Sequence, residues 1–211
     1  MWGCPWRMEW KSVHEYWYRS QLGPFYMLSF PTANATWTFD VTEGAWHERG
    51  YWRTTSSTYE AVRVFTHAFA EEIHLVGDRA TGRIYRMALD LYRDVDEAAI
   101  RRLRQPPRIA FGQKRFTIKS VQIVMDVGIG ASGVPTTPGF NPQMMRRASR
   151  DGGRTWGPEH WRSAGKIGEY GVRVKWQPCG QARNYVDEFV WSEPIPLRIA
   201  DAEIELAEGT S

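Results

Sequence analysis

The chain has 211 residues, with 27 Lys and Arg against 24 Asp and Glu, 42% apolar and 24% charged residues, and 11 Trp, 9 Tyr and 9 Phe. That composition suits a folded chain of one domain or two small ones and excludes disordered, collagen-like and low-complexity classes. No apolar run reaches the roughly 18 residues of a membrane span, and Met1 to Arg7 lack the basic stretch and apolar core of a secretory signal, so the chain is expected to stay in the cell that makes it, without a membrane anchor.

Cys4 and Cys179 stand far apart with no CxxC or CxH spacing, which supports neither a disulfide framework nor a Cys-based zinc site. His14, His47, His67, His74 and His160 are dispersed, with no HExxH or HxH pair, so no metal or other cofactor is predicted.

Taken in order, Phe25 to Phe30 and Ala35 to Phe39 are short, β-branched or aromatic runs bounded by turn residues, and they read as strands. Asp40 with Gly44, and Asp78 with Gly82, each sit between strand-like segments, 38 residues apart. The Asp can accept its own downstream N–H groups and the Gly can take positive φ, so each predicts a hairpin turn. A period near 40 residues closed by an aromatic fits β-propeller blades. Arg83 to Leu89 continues the strand pattern.

Val95 to Arg104 opens behind acidic residues and ends before Pro106-Pro107, which predicts a short linker helix and a domain boundary at about residue 100. Beyond it, Arg115 to Val121 alternates polar with apolar residues as a strand with one wet face, and Val121 to Met125 is a further strand. The stretch 128–142, rich in Gly and Pro, predicts a long surface loop. Val172 to Trp176 and Ile195 to Ile199 complete the strands, and the fold class is all-β.

Between them lies Ser149-Arg150-Asp151-Gly152-Gly153-Arg154-Thr155-Trp156, which matches S-x-D-x-G-x-T-W, the Asp-box, at every fixed position. The Asp151 carboxylate is expected to fix the turn, Gly153 to supply positive φ, and Trp156 to pack beneath it, with Ser149 and Thr155 in the same motif. Such a hairpin stabilises a fold and says little about chemistry. Trp161 to Tyr170 lacks the GxxxxGK[ST] phosphate loop, and neither GxSxG nor GxGxxG occurs. Glu71-Glu72 and the pair Asp94 and Asp96 fall in charged turns with nothing to suggest burial, so no catalytic residue is assigned and no enzyme is expected.

Charge is segregated. Residues 1–100 carry 10 basic and 13 acidic groups, residues 101–183 carry 16 and 4, and residues 184–211 carry 1 and 7. The basic block can be a solvated face, a phosphate site or a surface that meets an acidic partner. Arg101, Arg102, Arg104, Lys114, Arg115 and Lys119 are the candidates for docking another subunit, with the acidic C-terminal segment as the complementary surface.

The order of Pro106-Pro107, the strand Val121 to Met125, the Gly-rich stretch, Ser149 to Trp156, Gly165 to Tyr170, Arg173 to Trp176, Gly180 to Arg183 and Ser192 to Pro196 resembles the C-terminal region of packaged-DNA stabilisation proteins of short-tailed phages. Phe30 to Ala33, Thr36 to Asp40 and Gly44 to Arg49 are similar to the closing propeller blades of that family. The resemblance implies a structural, non-catalytic subunit of the virion tail, a hub or nozzle that forms a ring of six copies. It would hold packaged DNA and form its exit channel, beside adaptor or portal-proximal proteins and tail needle or fibre proteins, after assembly in the host cytoplasm. Family members look longer than this chain. A propeller needs about 4–8 blades, and residues 13–92 supply about two, so another polypeptide is expected to complete the ring or the sheet to close differently.

Two functions follow from different classes. One is the tail nozzle. The other is a sialidase-like β-protein that binds or cleaves glycans, suggested by the Asp-box and by Trp37, Trp46, Trp52, Trp156, Trp161, Trp176 and Trp191, although aromatic residues at strand positions are more often core.

Overall fold

The computed structural model describes residues 14–20, 23–112 and 114–208, so Cys4 and the opening segment read above lie outside the described residues. The chain divides into two compact units, 1–91 and 92–211. No helix among the described residues is long and apolar enough to cross a membrane.

In the first unit β1 (His14–Ser20), β2 (Gly23–Phe30), β3 (Ala35–Asp40), β4 (Ala45–Arg53) and β5 (Thr58–Ala61) form one antiparallel sheet in sequence order. A second sheet holds β6 (Val64–Ala70), β7 (Ile73–Asp78) and β8 (Ile84–Met87), again in sequence order. Both are meanders, the outcome of short turns between strands, and among the described residues neither closes on itself. The predicted turns are present. Gly44 N–H donates to Asp40 O (2.9 Å) and Gly82 N–H to Asp78 O (3.0 Å), with φ of 66° and 68° at the glycines. Asp40 Oδ1 also accepts from Thr42 N–H, and Asp78 Oδ1 from Ala80 N–H, each at 2.8 Å.

The buried face of β2 and β3 mixes apolar with polar groups. Phe25, Met27 and Ser29 stand opposite Asp40, Thr38 and Thr36, and all six are buried, while Trp37 is exposed. The polar groups are tolerated because most are bonded: Thr36 Oγ1 accepts from Val62 N–H (3.1 Å) and shares a hydrogen bond with Ser29 Oγ (3.2 Å).

The second unit begins with a correction. The predicted helix from Val95 to Arg104 is a single 3₁₀ turn, Val95–Glu97, followed by strand β9 (Arg102–Arg104), which pairs with residues 189–191 far along the chain. Asp94 caps the turn by accepting from Val95 N–H (2.7 Å), and Glu97 with φ of 60° is incompatible with helical continuation. The segments read separately as 115–121 and 121–125 are one ten-residue strand, β10 (Phe116–Met125). Then come β11 (Gln143–Ser149), β12 (His160–Ser163), β13 (Val174–Trp176), β14 (Gly180–Ala182), β15 (Val186–Trp191) and β16 (Ile199–Glu208). The expected strand Ile195 to Ile199 is not one: Pro196 has no N–H to give a ladder, and the strand starts where that stretch was expected to end.

Two antiparallel sheets result. One has β10 at its centre, with β13 and β14 pairing successive parts of it and β16 pairing nearly its whole length. The other runs β12-β11-β15-β9. Their inner faces share one core, in which Phe116, Ile118 and Ile123 of β10 meet Met144 of β11 and Phe189 and Trp191 of β15. Strand β10 alternates as expected through Ser120, and the register shift against β16 between Ile118 and Ser120 goes with a change of phase, so that Ser120 and Val121 are both buried.

The Gly-rich stretch is less of a surface loop than expected. Gly128, Gly130 and Gly139 are buried, and Gly128 O accepts from Gly168 N–H (3.0 Å). A Cβ on Gly130 would lie 2.8 Å from Phe140 O, so close backbone approach explains that glycine.

Full burial of Ile118 predicts that Ile118→Ala lowers stability by about 2–5 kcal/mol. Chemical denaturation of wild type and variant measures it, with the exposed Leu91→Ala as a reference near zero.

Candidate functional site

The turn between β11 and β12 is closed by one carboxylate. Asp151 Oδ1 accepts the N–H groups of Arg154 and Thr155, both at 2.9 Å, and Oδ2 accepts the Thr155 hydroxyl at 2.6 Å. Ser149 Oγ donates to Asp151 Oδ1 and accepts from Gly153 N–H, each at 2.7 Å. Gly153 has φ of 97°, and Gly157 N–H returns to Ala148 O (2.9 Å). The Thr155 hydroxyl, the Thr155 N–H, Ser149 and the Arg154 N–H hold the Asp151 carboxyl well below the usual carboxylate range. Trp156 is half-buried, with the Arg147 guanidinium of β11 5.0 Å from its ring centre. Gly152 N–H donates to Asn184 O (3.2 Å), which ties the turn to the chain just before β15. A side chain at Gly152, whose φ is 80°, would collide with Asn184.

Next to this turn lie two ion-paired clusters that sequence reasoning missed. Inside the sandwich, Arg146 Nε donates to Asp187 Oδ1 (2.7 Å), Tyr185 Oη donates to the same oxygen (2.8 Å), and Arg146 Nη2 bonds Tyr185 Oη. All three residues are buried. Burial pushes the Asp187 carboxyl up, against the attraction of Arg146, and burial followed by the Asp187 charge pushes up the Tyr185 hydroxyl. On the reverse face Arg147 Nε donates to Glu188 Oε1 (2.6 Å), and Gln105 Nε2 donates to Oε2 (2.8 Å). The signal was available as two adjacent arginines in one strand and two adjacent acids in another.

The candidate interface residues are split. Arg101 and Arg102 are half-buried and Arg104 is exposed at β9, whereas exposed Lys114 and Arg115 precede β10 and exposed Lys119 lies on it, in the other sheet. Arg102 stands 5.7 Å from the Tyr92 ring centre. Lys119 pairs with Glu205 of β16 at 3.2 Å, so part of the acidic C-terminal segment neutralises the basic strand of its own chain.

Elsewhere, Glu71 and Glu72 occupy the β6–β7 turn, and His67 Nε2 and His74 Nδ1 lie 2.9 Å apart. Asp40, Glu43 and His47 bring possible ligand atoms within 4.8 Å of one another, but Asp40 Oδ1 is already accepting from the N–H groups of Thr42 and Glu43. Of the tryptophans considered for sugar stacking, Trp176 and Trp191 are core, while Trp37, Trp46 and Trp161 are exposed.

Two facing antiparallel sheets, joined to a turn closed by one acid and carrying two cross-strand arginine–carboxylate pairs, define a β-sandwich. The family described as Bacteriophage P22 Gp10, beta-sandwich matches residues 102–207, just over half of the chain. The chain belongs to that family, and it is a structural protein of the phage tail and of the virion. No curated protein matches it.

Because Asp151 ionises more readily folded than unfolded, its stabilising contribution is complete above about pH 4 and is lost as pH falls below that. Melting temperatures from pH 7 to 3 should therefore fall less steeply in Asp151→Asn, which starts lower at neutral pH. Gly153→Val forces a branched residue into positive φ and should cost about 1–3 kcal/mol in denaturant titration.

Proposed function

We propose that the chain is a tail nozzle or hub subunit, a ring-forming protein that holds packaged DNA in the capsid and forms its exit channel. In this reading residues 1–100 supply propeller blades that a neighbouring chain completes, and residues 101–211 form the terminal β-domain, with Ser149, Asp151, Gly153, Thr155 and Trp156 as a structural Asp-box. The ring has six copies, assembled in the host cytoplasm, and contacts adaptor or portal-proximal proteins on one side and needle or fibre proteins on the other.

The observation that carries this reading is the family match across the second unit. The two meanders of the first unit, whose turns repeat Asp and Gly at the same spacing, support blades. A ring needs two different patches on each subunit. Arg104, Lys114 and Arg115 are exposed, while Asp201, Glu203 and Glu208 lie on β16, which is paired along β10 alone among the described residues. Basic and acidic surfaces of this kind attract across a head-to-tail contact. A channel that must release DNA is better served when such cations face a neighbouring subunit, since each phosphate contact slows passage.

Arg104→Glu with Lys114→Glu should abolish rings in negative-stain images and native mass spectrometry while leaving the melting temperature unchanged. Filter binding supplies the opposing result. Tight DNA binding by wild type, with a salt slope near about −0.9 per phosphate contact, lost in the variant while rings persist, would place these residues against DNA.

A further inference from the structure

A concave pocket of about 430 Å³ opens beside the Asp151 turn. Its floor is the buried Arg146 guanidinium, which lies 5.8 Å from the ring centre of buried Trp176. Its Nε is committed to Asp187 and its Nη2 to Tyr185, and the guanidinium also acts on the Cys179 thiol, which lines the same pocket. Asp187 and Tyr185 stand behind the floor and are not part of the lining.

The walls carry Arg150, Arg162 and His160. Arg162 is held by two backbone carbonyls, Nε on Lys175 O and Nη1 on Trp161 O, both at 3.0 Å. Arg150 lies over Gly180, where a Cβ would come within 2.7 Å of Nη2, and that nitrogen donates to Cys179 O at 3.4 Å. Neither Arg150 nor Arg162 has a carboxylate partner among the described residues, and no Asp or Glu lines the pocket. Three arginines thus line one pocket and only Arg146 among them has a carboxylate partner, an arrangement that favours a ligand carrying an oxyanion.

Trp156 and Gln177 decide what carries the oxyanion. The indole of Trp156 has one side on Arg147 and also lines the pocket. Its electron-rich face accepts the polarised C–H bonds of a sugar ring. The Gln177 amide offers a donor and an acceptor together, as neighbouring hydroxyl groups require. The volume sits in the lower part of the range for small-molecule pockets, enough for one sugar unit.

We infer that this pocket binds a single pyranose unit bearing a carboxylate or phosphate, with Arg146, Arg150 and Arg162 on the oxyanion and Trp156 and Gln177 on the ring. This adds a ligand-binding activity to the second unit and does not depend on the nozzle reading.

Calorimetric titration of the full chain with glucuronate, glucose 6-phosphate, glucose, inorganic phosphate and adenosine monophosphate tests it. Both sugar acids should bind at least about tenfold more tightly than glucose. Arg150→Gln with Arg162→Gln should reduce them to the level of glucose, whereas Arg173→Gln, a charge removed outside the pocket, should leave their affinity unchanged. Should the double variant melt earlier, Arg162→Gln alone gives the same comparison, and its failure to weaken the sugar acids would overturn the assignment. Equal affinity for glucose, or no binding of either acid, would also overturn it. Inorganic phosphate or the nucleotide binding as tightly as the sugar acids would make the site one for bare oxyanions or nucleotides and refute the sugar.

Discussion

Adjacent arginines on β11 meet adjacent acids on β15, and because successive strand residues face opposite ways, Arg146 with Asp187 lies inside the sandwich while Arg147 with Glu188 lies on the reverse face. A slip of one residue would turn Phe189 and Trp191 out of the shared core and bring Glu188 and Val190 into it. Within that register the pairs satisfy the charges that the sheets enclose and add little net stability, since withdrawing Arg146, Asp187 and Glu188 from water offsets most of the attraction. The same register places Ser149 at the strand end opposite Val186, where the Asp151 turn can lean on Asn184, and fixes Arg146 above Trp176.

How much of this was legible depends on the range of the interactions involved. The turns at Asp40, Asp78 and Asp151 could be read because a carboxylate bonding amides two to four residues on is a local event. The stretch from Val95 to Arg104 misled because its composition favours helix, while its outcome was set by the edge of β15 some 85 residues away. Strand β16 escaped notice for the same reason. Its Ala, Glu and Asp residues have low strand propensity, and the long ladder to β10 overrides it. In the first unit Thr36, Thr38 and Asp40 take the buried face of β3 and Trp37 is exposed, a facing that apolar content alone does not indicate.

The charge blocks were visible in the sequence, but their meaning changes with the pairing. The block 101–183 and the segment 184–211 have opposite sign, and the fold brings them together within one chain, on β11 against β15 and on β10 against β16. Arg146, Arg147 and Lys119 are satisfied this way. What is left for an external partner includes the exposed Arg104 at the end of β9, Lys114 and Arg115 ahead of β10, and Arg150 and Arg162 around the pocket.

The carboxylates obey a parallel economy. Asp40, Asp78 and Asp151 each give an oxygen to the backbone of their own turn, and Asp78 also receives Arg63 across the β6–β7 sheet at 2.5 Å. Burial opposes ionisation of Asp78, yet Thr81, the Ala80 N–H and Arg63 hold it below its usual range. An acid held so firmly ionised is a poor proton donor near neutral pH, because general acid catalysis needs a group that still carries its proton there. Asp187 is displaced in the other direction by burial, and its Oδ1 accepts from both Arg146 and Tyr185. Asp78, Asp151 and Asp187 are thus engaged in holding turns and cross-strand contacts, as a subunit that must keep its shape within a virion requires.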